Sequence, residues 1–317
     1  MRRLHIPWWT VGAALAIAAC FMVKDRYAIS VVNLVAISAL TAASLRFVML
    51  IGEVSFATSA FVAFGAYGAG FATTVLQWPF PLAMLLGPLV VVVASVVFGL
   101  ITLRIKGPYF MLIGFAFAEA VRIALGKIAF IGGVSGMGGI FPPRILDPWL
   151  STTVMVVVIA LLFGLYAIEK SDFGKVLAAI RDNEDIARTV GLNVLSLKVA
   201  CFVIGSFCAG VAGSLQAFAN SVISPGDFSF LLAAYALAFV KIGGESSIFG
   251  AVSGAIILVL ISSFALGLGA AEQFVYGGAI VLAMLFLPQG LAGLPWHKFL
   301  PARWTKRSAG LANTTAR

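Results

Sequence analysis

Long apolar runs, separated by short polar or Gly/Pro-containing breaks, fill almost the whole chain. Hydropathy places ten candidate spans at about residues 9–23, 28–45, 54–76, 80–102, 109–131, 151–168, 199–220, 228–242, 248–268 and 273–290. Runs such as 89–103 and 153–168 are unbroken, whereas a membrane β-barrel needs strands of about ten residues that alternate apolar and polar. They read as helices that satisfy their own backbone hydrogen bonds in lipid. The expected fold is therefore all-α, a polytopic bundle of about ten transmembrane helices (8–10). The eighth run is short enough to be a broken or re-entrant segment. One passage breaks the pattern: "EKSDFGKVLAAIRDNEDIARTVGLNVLSLK", residues 169–198, is the only long polar stretch between apolar runs.

Composition agrees with the pattern. Of 317 residues 62% are hydrophobic and 10% charged, against about 25% charged in a soluble domain. Lysine and arginine, which accumulate in cytoplasmic loops, set the orientation. With both termini inside, sixteen of the twenty-one fall on the inner side, Lys24, Arg26 and Arg144 fall outside, and Arg122 and Lys127 lie within a span. The net charge of +9 is then a consequence of topology, not a sign of nucleic-acid binding. This gives a cytoplasmic tail at 1–8, a membrane domain at 9–295 carrying the cytoplasmic loop 169–198, and a basic cytoplasmic tail at 296–317. The Ile17-Ala18-Ala19-Cys20 stretch resembles a lipoprotein cleavage box, but the chain continues apolar after it, so a retained first helix is expected.

Several kinds of chemistry find no support. Cys20, Cys201 and Cys208 sit singly in apolar runs, and His5 and His297 are far from other ligand types, so no metal site is expected. Neither Gly126-Lys127 nor Gly174-Lys175 has the glycine that a phosphate-binding P-loop requires five residues earlier. No Ser/His/Asp set or paired-carboxylate site marks a catalytic centre. The chain is read as a non-enzyme.

Four passages carry candidate function. Within 169–198, Ser171 or Asp172 can cap one short helix and Asp182 a second that stops at Gly191. Leu177, Ile180, Ala187 and Gly191 then form a narrow apolar or small stripe that asks for a partner. "GEVSFATSAFVAFGAYGAG" mixes small residues with Ser55, Thr58, Ser59 and Tyr67, which suits either close helix packing or a pore-lining helix. Glu53 at its inner end is expected at the interface. Glu119 and Arg122, three residues apart at membrane depth, are either a self-neutralising pair or part of a path. "GGVSGMGGIFPP" reads as an outer loop whose Gly133, Ser135 and Gly136 can expose backbone groups, and Gly250-x-x-x-Gly254 is a close-packing spacing.

Taken in order, "LRIKGPYF", the GG-x-x-GMGG loop, "AIRDNEDIARTVGLNV", "ISPGDFSF" and "LFLPQGLAGL" resemble the LivM-type permeases of branched-chain amino acid ABC importers, over about residues 35–295. The resemblance implies a ten-helix importer half in a bacterial cytoplasmic (inner) membrane. It implies pairing with a LivH-type permease, two cytoplasmic ATPase subunits that hold ATP and Mg, and a periplasmic substrate-binding protein. In such importers a loop with an Ala-x-x-x-Gly core couples to the ATPase. Ala187 to Gly191 matches it, and Phe173, Gly174 and Ile180 join that contact. Glu53 departs from the family's usual glutamine, and "KIGGESSIFG" from a more glycine-rich pattern. Urea, short amides and other amino acids are alternative solutes. A secondary transporter using Glu53, Glu119 or Arg122, or a passive channel, is the alternative class.

Overall fold

The computed structural model describes residues 25–143 and 149–265, with a few positions between 277 and 290. The first expected span, most of the tenth, Cys20, both histidines, Arg144 and the two tails lie outside the described residues. Numbered from the first described helix, the elements are α1 (Arg26–Val48), α2 (Thr58–Thr74), α3 (Phe80–Thr102), α4 (Pro108–Lys127), α5 (Leu150–Lys170), α6 (Asp172–Asp182), α7 (Glu184–Thr189), α8 (Val194–Asn220), α9 (Phe230–Gly243) and α10 (Ile248–Ala265). Each of the second to ninth expected spans has its helix. Among the described residues five are long and apolar enough to cross a membrane: α1 with its continuation to Ile51, α3, α4, α5 and α8. The short eighth run becomes α9, which turns through 112° into α10 across a four-residue break.

Small residues decide what sits at the centre. A Cβ on Gly65 would lie 2.0 Å from the Gly210 carbonyl oxygen, and one on Gly213 1.9 Å from that of Val62. The backbones of α2 and α8 therefore touch, a contact that only glycine at these positions permits. Around them Phe61, Phe98, Phe117 and Phe202 pack edge-on and offset, with centroids 4.5–6.1 Å apart. The opposite requirement shapes α3, where Leu82, Leu85, Leu89, Val93, Val97 and Ile101 form an exposed apolar stripe at helical spacing, as a lipid-facing helix needs. At the α9–α10 bend a Cβ on Gly254 would lie 2.0 Å from the Phe239 carbonyl oxygen, so the Gly250-x-x-x-Gly254 spacing does bring two helices together.

The bundle has two distinct ends. One gathers Arg46, Lys106, Glu169, Glu184, Lys198, Lys241 and Glu245. At the other, the 128–143 loop folds through two 3-10 turns into a two-residue strand, β1 (Met137–Gly138), paired antiparallel with β2 (Val222–Ile223).

Candidate functional site

At the charged end two clusters join elements that are distant in sequence. Arg46, in the last turn of α1, is 3% exposed. Its guanidinium grips the Glu169 carboxylate at the end of α5, with Nη2 2.7 Å from Oε1, and its Nε donates to the Glu245 carbonyl at 3.1 Å. One side chain thus ties α1, α5 and the α9–α10 break. Planar guanidinium suits this work because its donors are fixed in a fork.

The second cluster centres on Glu184, the first residue of α7. Lys106, in the link between α3 and α4, pairs with it, Lys198 of α8 approaches to 3.3 Å, and Arg188 Nη2 donates at 3.1 Å. Burial opposes ionisation of Glu184, yet the hydrogen bonds and charges of Lys106 and Lys198 outweigh it and hold the carboxyl below the usual carboxylate range. Glu53, expected at the interface, is instead buried: its Oε2 accepts from the Gly107 backbone N–H at 3.0 Å. Burial raises its pKa, against the opposing pull of that N–H and of Lys198. The correction has a physical cause, since Gly52 takes a left-handed turn after Ile51 that carries the next residue under the link at Gly107.

The polar island folds as two helices, as expected, but turned differently. Asn183 caps α7, its Oδ1 accepting from the backbone N–H groups of Asp185 and Ile186 at 3.1 Å, one residue after the expected Asp182. Ser171 precedes α6 but gives its hydroxyl to the Ile168 carbonyl. Leu177 is buried in the main core, and Ile180 and Ala187 are buried with Val194 beneath the island. Three of the four residues of the stripe expected to await a partner are thus covered by the chain itself, and Gly191 alone stays exposed. Gly174 lets α6 double back, because a Cβ there would meet the Glu169 carbonyl at 2.0 Å; Phe173 packs half-buried beside it. What the island leaves open is Ile186 and Val190, 62% and 75% exposed and four residues apart, followed by Gly191 in the left-handed region.

The six candidate path residues do not come together. Thr58 and Ser59 return their hydroxyls to the carbonyls of Ser55 and Phe56, while the hydroxyls of Ser55 and Tyr67 are buried without a hydrogen-bond partner. All four belong to the packed centre. Glu119 and Arg122 lie on the α4 surface, bonded to each other with Nε 2.9 Å from Oε1. At the other end Ser135 is exposed and Gly133 half-exposed. Gly136 passes so near β2 that a Cβ would lie 2.1 Å from the Ile223 carbonyl.

A cleft of about 350 Å³ opens between α1, α8, α9 and the turn at 225–228. Asn33, Thr41, Gln216, Asn220 and Asp227 contribute its polar wall, and Leu34, Ile37, Leu231 and Phe239 belong to the apolar one.

A family described as the permease component of branched-chain amino acid transport systems matches residues 27–288. The chain belongs to this family. The permease is 27% identical over 308 residues to the high-affinity branched-chain amino acid transport system permease protein LivM of Escherichia coli, covering 87% of this chain and 72% of LivM. It is 29% identical over 169 residues to BraD of Pseudomonas aeruginosa, described in the same words, across 52% of this chain and 53% of BraD. A third relative, the probable branched-chain amino acid transport permease protein LivH of Methanocaldococcus jannaschii, is 31% identical over 157 residues, 45% of this chain and 48% of LivH. No solved structure matches the permease.

Of the residues placed in the two charge clusters and the cleft, sequence reasoning about the permease singled out few as a site. The cleft had a signal: Asn33, Ile37 and Thr41 fall on one face of an otherwise apolar helix, and Gln216 and Asn220 are four apart on another. The charge clusters had only their place in or beside breaks expected on the inner side, which does not reveal which acid meets which base.

Proposed function

We propose that this permease subunit of a branched-chain amino acid ABC importer works in a bacterial cytoplasmic membrane beside a LivH-type permease. Two separate ATPase subunits hold ATP and Mg and drive it, and a periplasmic binding protein delivers leucine, isoleucine or valine. The family and the likeness to LivM support the solute; the likeness to a LivH chain supports a related permease as the other half.

The observation that carries the mechanism is the anchoring of α6 and α7. A push on the exposed Ile186–Val190 edge passes through Glu184 to Lys106 and Lys198, hence to the α3–α4 link and to α8. It also passes through the α5–α6 junction at Glu169 to Arg46 and the α9–α10 break. The helices reached this way, α1, α8 and α9, are those that wall the cleft. Packed helices and ion pairs move as units rather than deforming continuously, so ATPase closure rocks these helices against the partner permease. An ion-coupled mechanism finds less support, because Glu119 is already neutralised by Arg122.

Val190→Glu tests this reading more cleanly than a change at Gly191, where positive φ would add backbone strain. In the complete importer, ATPase subunits are expected to stop co-purifying and leucine uptake to fall to background, with membrane insertion intact. Normal uptake and co-purification in this variant would defeat the assignment.

A further inference from the structure

We propose that the cleft between α1, α8 and α9 is a station for the travelling solute, in which Asp227 receives an ammonium group. Its volume, about 350 Å³, lies at the lower end of the roughly 300–1,000 Å³ usual for small-molecule sites. The proposal rests on the importer reading above and adds the place and the chemistry of recognition.

Polar side chains inside a membrane helix are costly unless they find partners, and here several have capacity to spare. Asn33 is 8% exposed, and its Oδ1 already accepts from the Ser151 hydroxyl at 2.7 Å, which leaves the amide nitrogen as the end able to serve a ligand. Gln216 is half-buried and Asn220, the last residue of α8, is exposed; among the described residues no hydrogen bond engages either carboxamide. One buried, one half-buried and one exposed amide around a single hollow have bonding capacity that a solute can use. They offer donors to a carboxylate without trapping it, as a fixed guanidinium would.

Charge narrows the solute further. Asp227 is the sole charged side chain among the described residues that line the cleft. It is exposed in the 225–228 turn, where one of its oxygens accepts from the Ser224 backbone N–H at 2.9 Å, which fixes the carboxylate, and the other remains for an ammonium. Leu34, Ile37, Leu231 and Phe239, which line the same cleft, give an aliphatic side chain somewhere to lie. A carboxylate for the amine, amides for the acid and an apolar wall for the rest describe a small zwitterion with a hydrocarbon tail.

The test uses the complete importer in proteoliposomes, with radiolabelled L-leucine outside and ATP on the ATPase side. Asp227→Asn keeps an oxygen for the Ser224 N–H and removes only the charge. It is expected to raise the KM for leucine by roughly ten- to a hundredfold, the worth of one charge-assisted hydrogen bond. Ala219→Phe, which fills the cleft from α8, is expected to lower the maximal rate. Size-exclusion chromatography confirms that both variants still assemble with their partner subunits. If both assembled variants carry leucine with unaltered KM and rate, the cleft is not on the path, although the importer reading stands. If the wild-type complex carries no leucine but carries a neutral solute such as urea, the solute reading fails, and an Asp227→Asn variant equal to wild type on urea overturns the ammonium assignment as well.

Discussion

The charged end of the bundle and the cleft near its loop end are both built from polar side chains on apolar helices, yet they use them in opposite ways. At the charged end nearly every ionisable group is closed upon another: Arg46 on Glu169, Lys241 on Glu245, and Glu184 on three cations. At the cleft, amides and a carboxylate keep bonding capacity unspent around a hollow. Saturated polar groups in a low-dielectric setting join elements rigidly, whereas unsaturated ones are held open for something that comes and goes. The difference separates a region that transmits motion from one that meets a solute.

The largest effect that would break this contrast is at Arg46. Arg46→Ala leaves the Glu169 carboxylate, 16% exposed, without its counter-charge. Removing one partner of such a pair costs about 3–5 kcal/mol. Thermal unfolding in detergent should show a loss on that scale, and a melting curve unchanged from wild type would mean the Arg46 junction is not a structural joint. Next comes Glu184→Gln, which strands Lys198, itself 3% exposed. Its expected cost is smaller, about 1–3 kcal/mol, with a parallel drop in coupled uptake. The wild-type contribution has a defined pH dependence. Because the folded carboxyl is held below its ordinary value, its stabilisation is full above the usual carboxylate range and is lost as pH falls through the lowered folded value. The same acid-to-amide change at Asp227 is expected to alter transport and leave the melting curve nearly untouched. Equal destabilisation at both sites would erase the distinction between the two regions.

How much of this was legible beforehand follows from what each feature depends on. Helices are set by runs of apolar residues, so the second to ninth spans could be read with modest errors at their ends. The broken eighth span announced itself through its shortness; Gly243, Gly244 and Gly250, whose close backbone contacts the bend requires, show their part only in the structure. The polar island was readable as two short helices, with the second cap expected at Asp182, one residue before the Asn183 that serves, and the stop at Gly191. Leu177, Ile180 and Ala187 of its apolar stripe turned out covered, because periodicity says that a face is buried without saying against what; the cover is the chain's own Val194 and core. The clusters at Arg46 and Glu184 join positions up to 199 residues apart, and no local pattern encodes such a meeting. Ser55 and the three α2 hydroxyls left packing and a pore both open, because small and hydroxyl residues serve either; the near contacts of Gly65 on α2 with Gly210 and of Gly213 on α8 with Val62 decide for packing.

Glu53 gives the smallest effect and the sharpest test, because it lies at the charged end yet behaves unlike its neighbours there. Its carboxyl is raised above the ordinary range, chiefly by burial, whereas that of Glu184 is lowered. A group whose folded pKa is raised weakens the fold once the unfolded chain can ionise. Below the ordinary carboxylate value both states are protonated and Glu53→Gln should match wild type. As pH rises through that value, the unfolded chain loses its proton first and wild type falls behind, a deficit complete once pH passes the raised folded value. Glutamine still offers an oxygen to the Gly107 N–H, so the variant should melt higher at neutral pH, by a few degrees at most, and equally at low pH. A variant that melts lower at neutral pH would show that the nearby Lys198 and Lys106 outweigh burial after all. Glu53 would then belong with Glu184 as a third joint of the charged end, where the present geometry makes it a buried acid held by one backbone N–H.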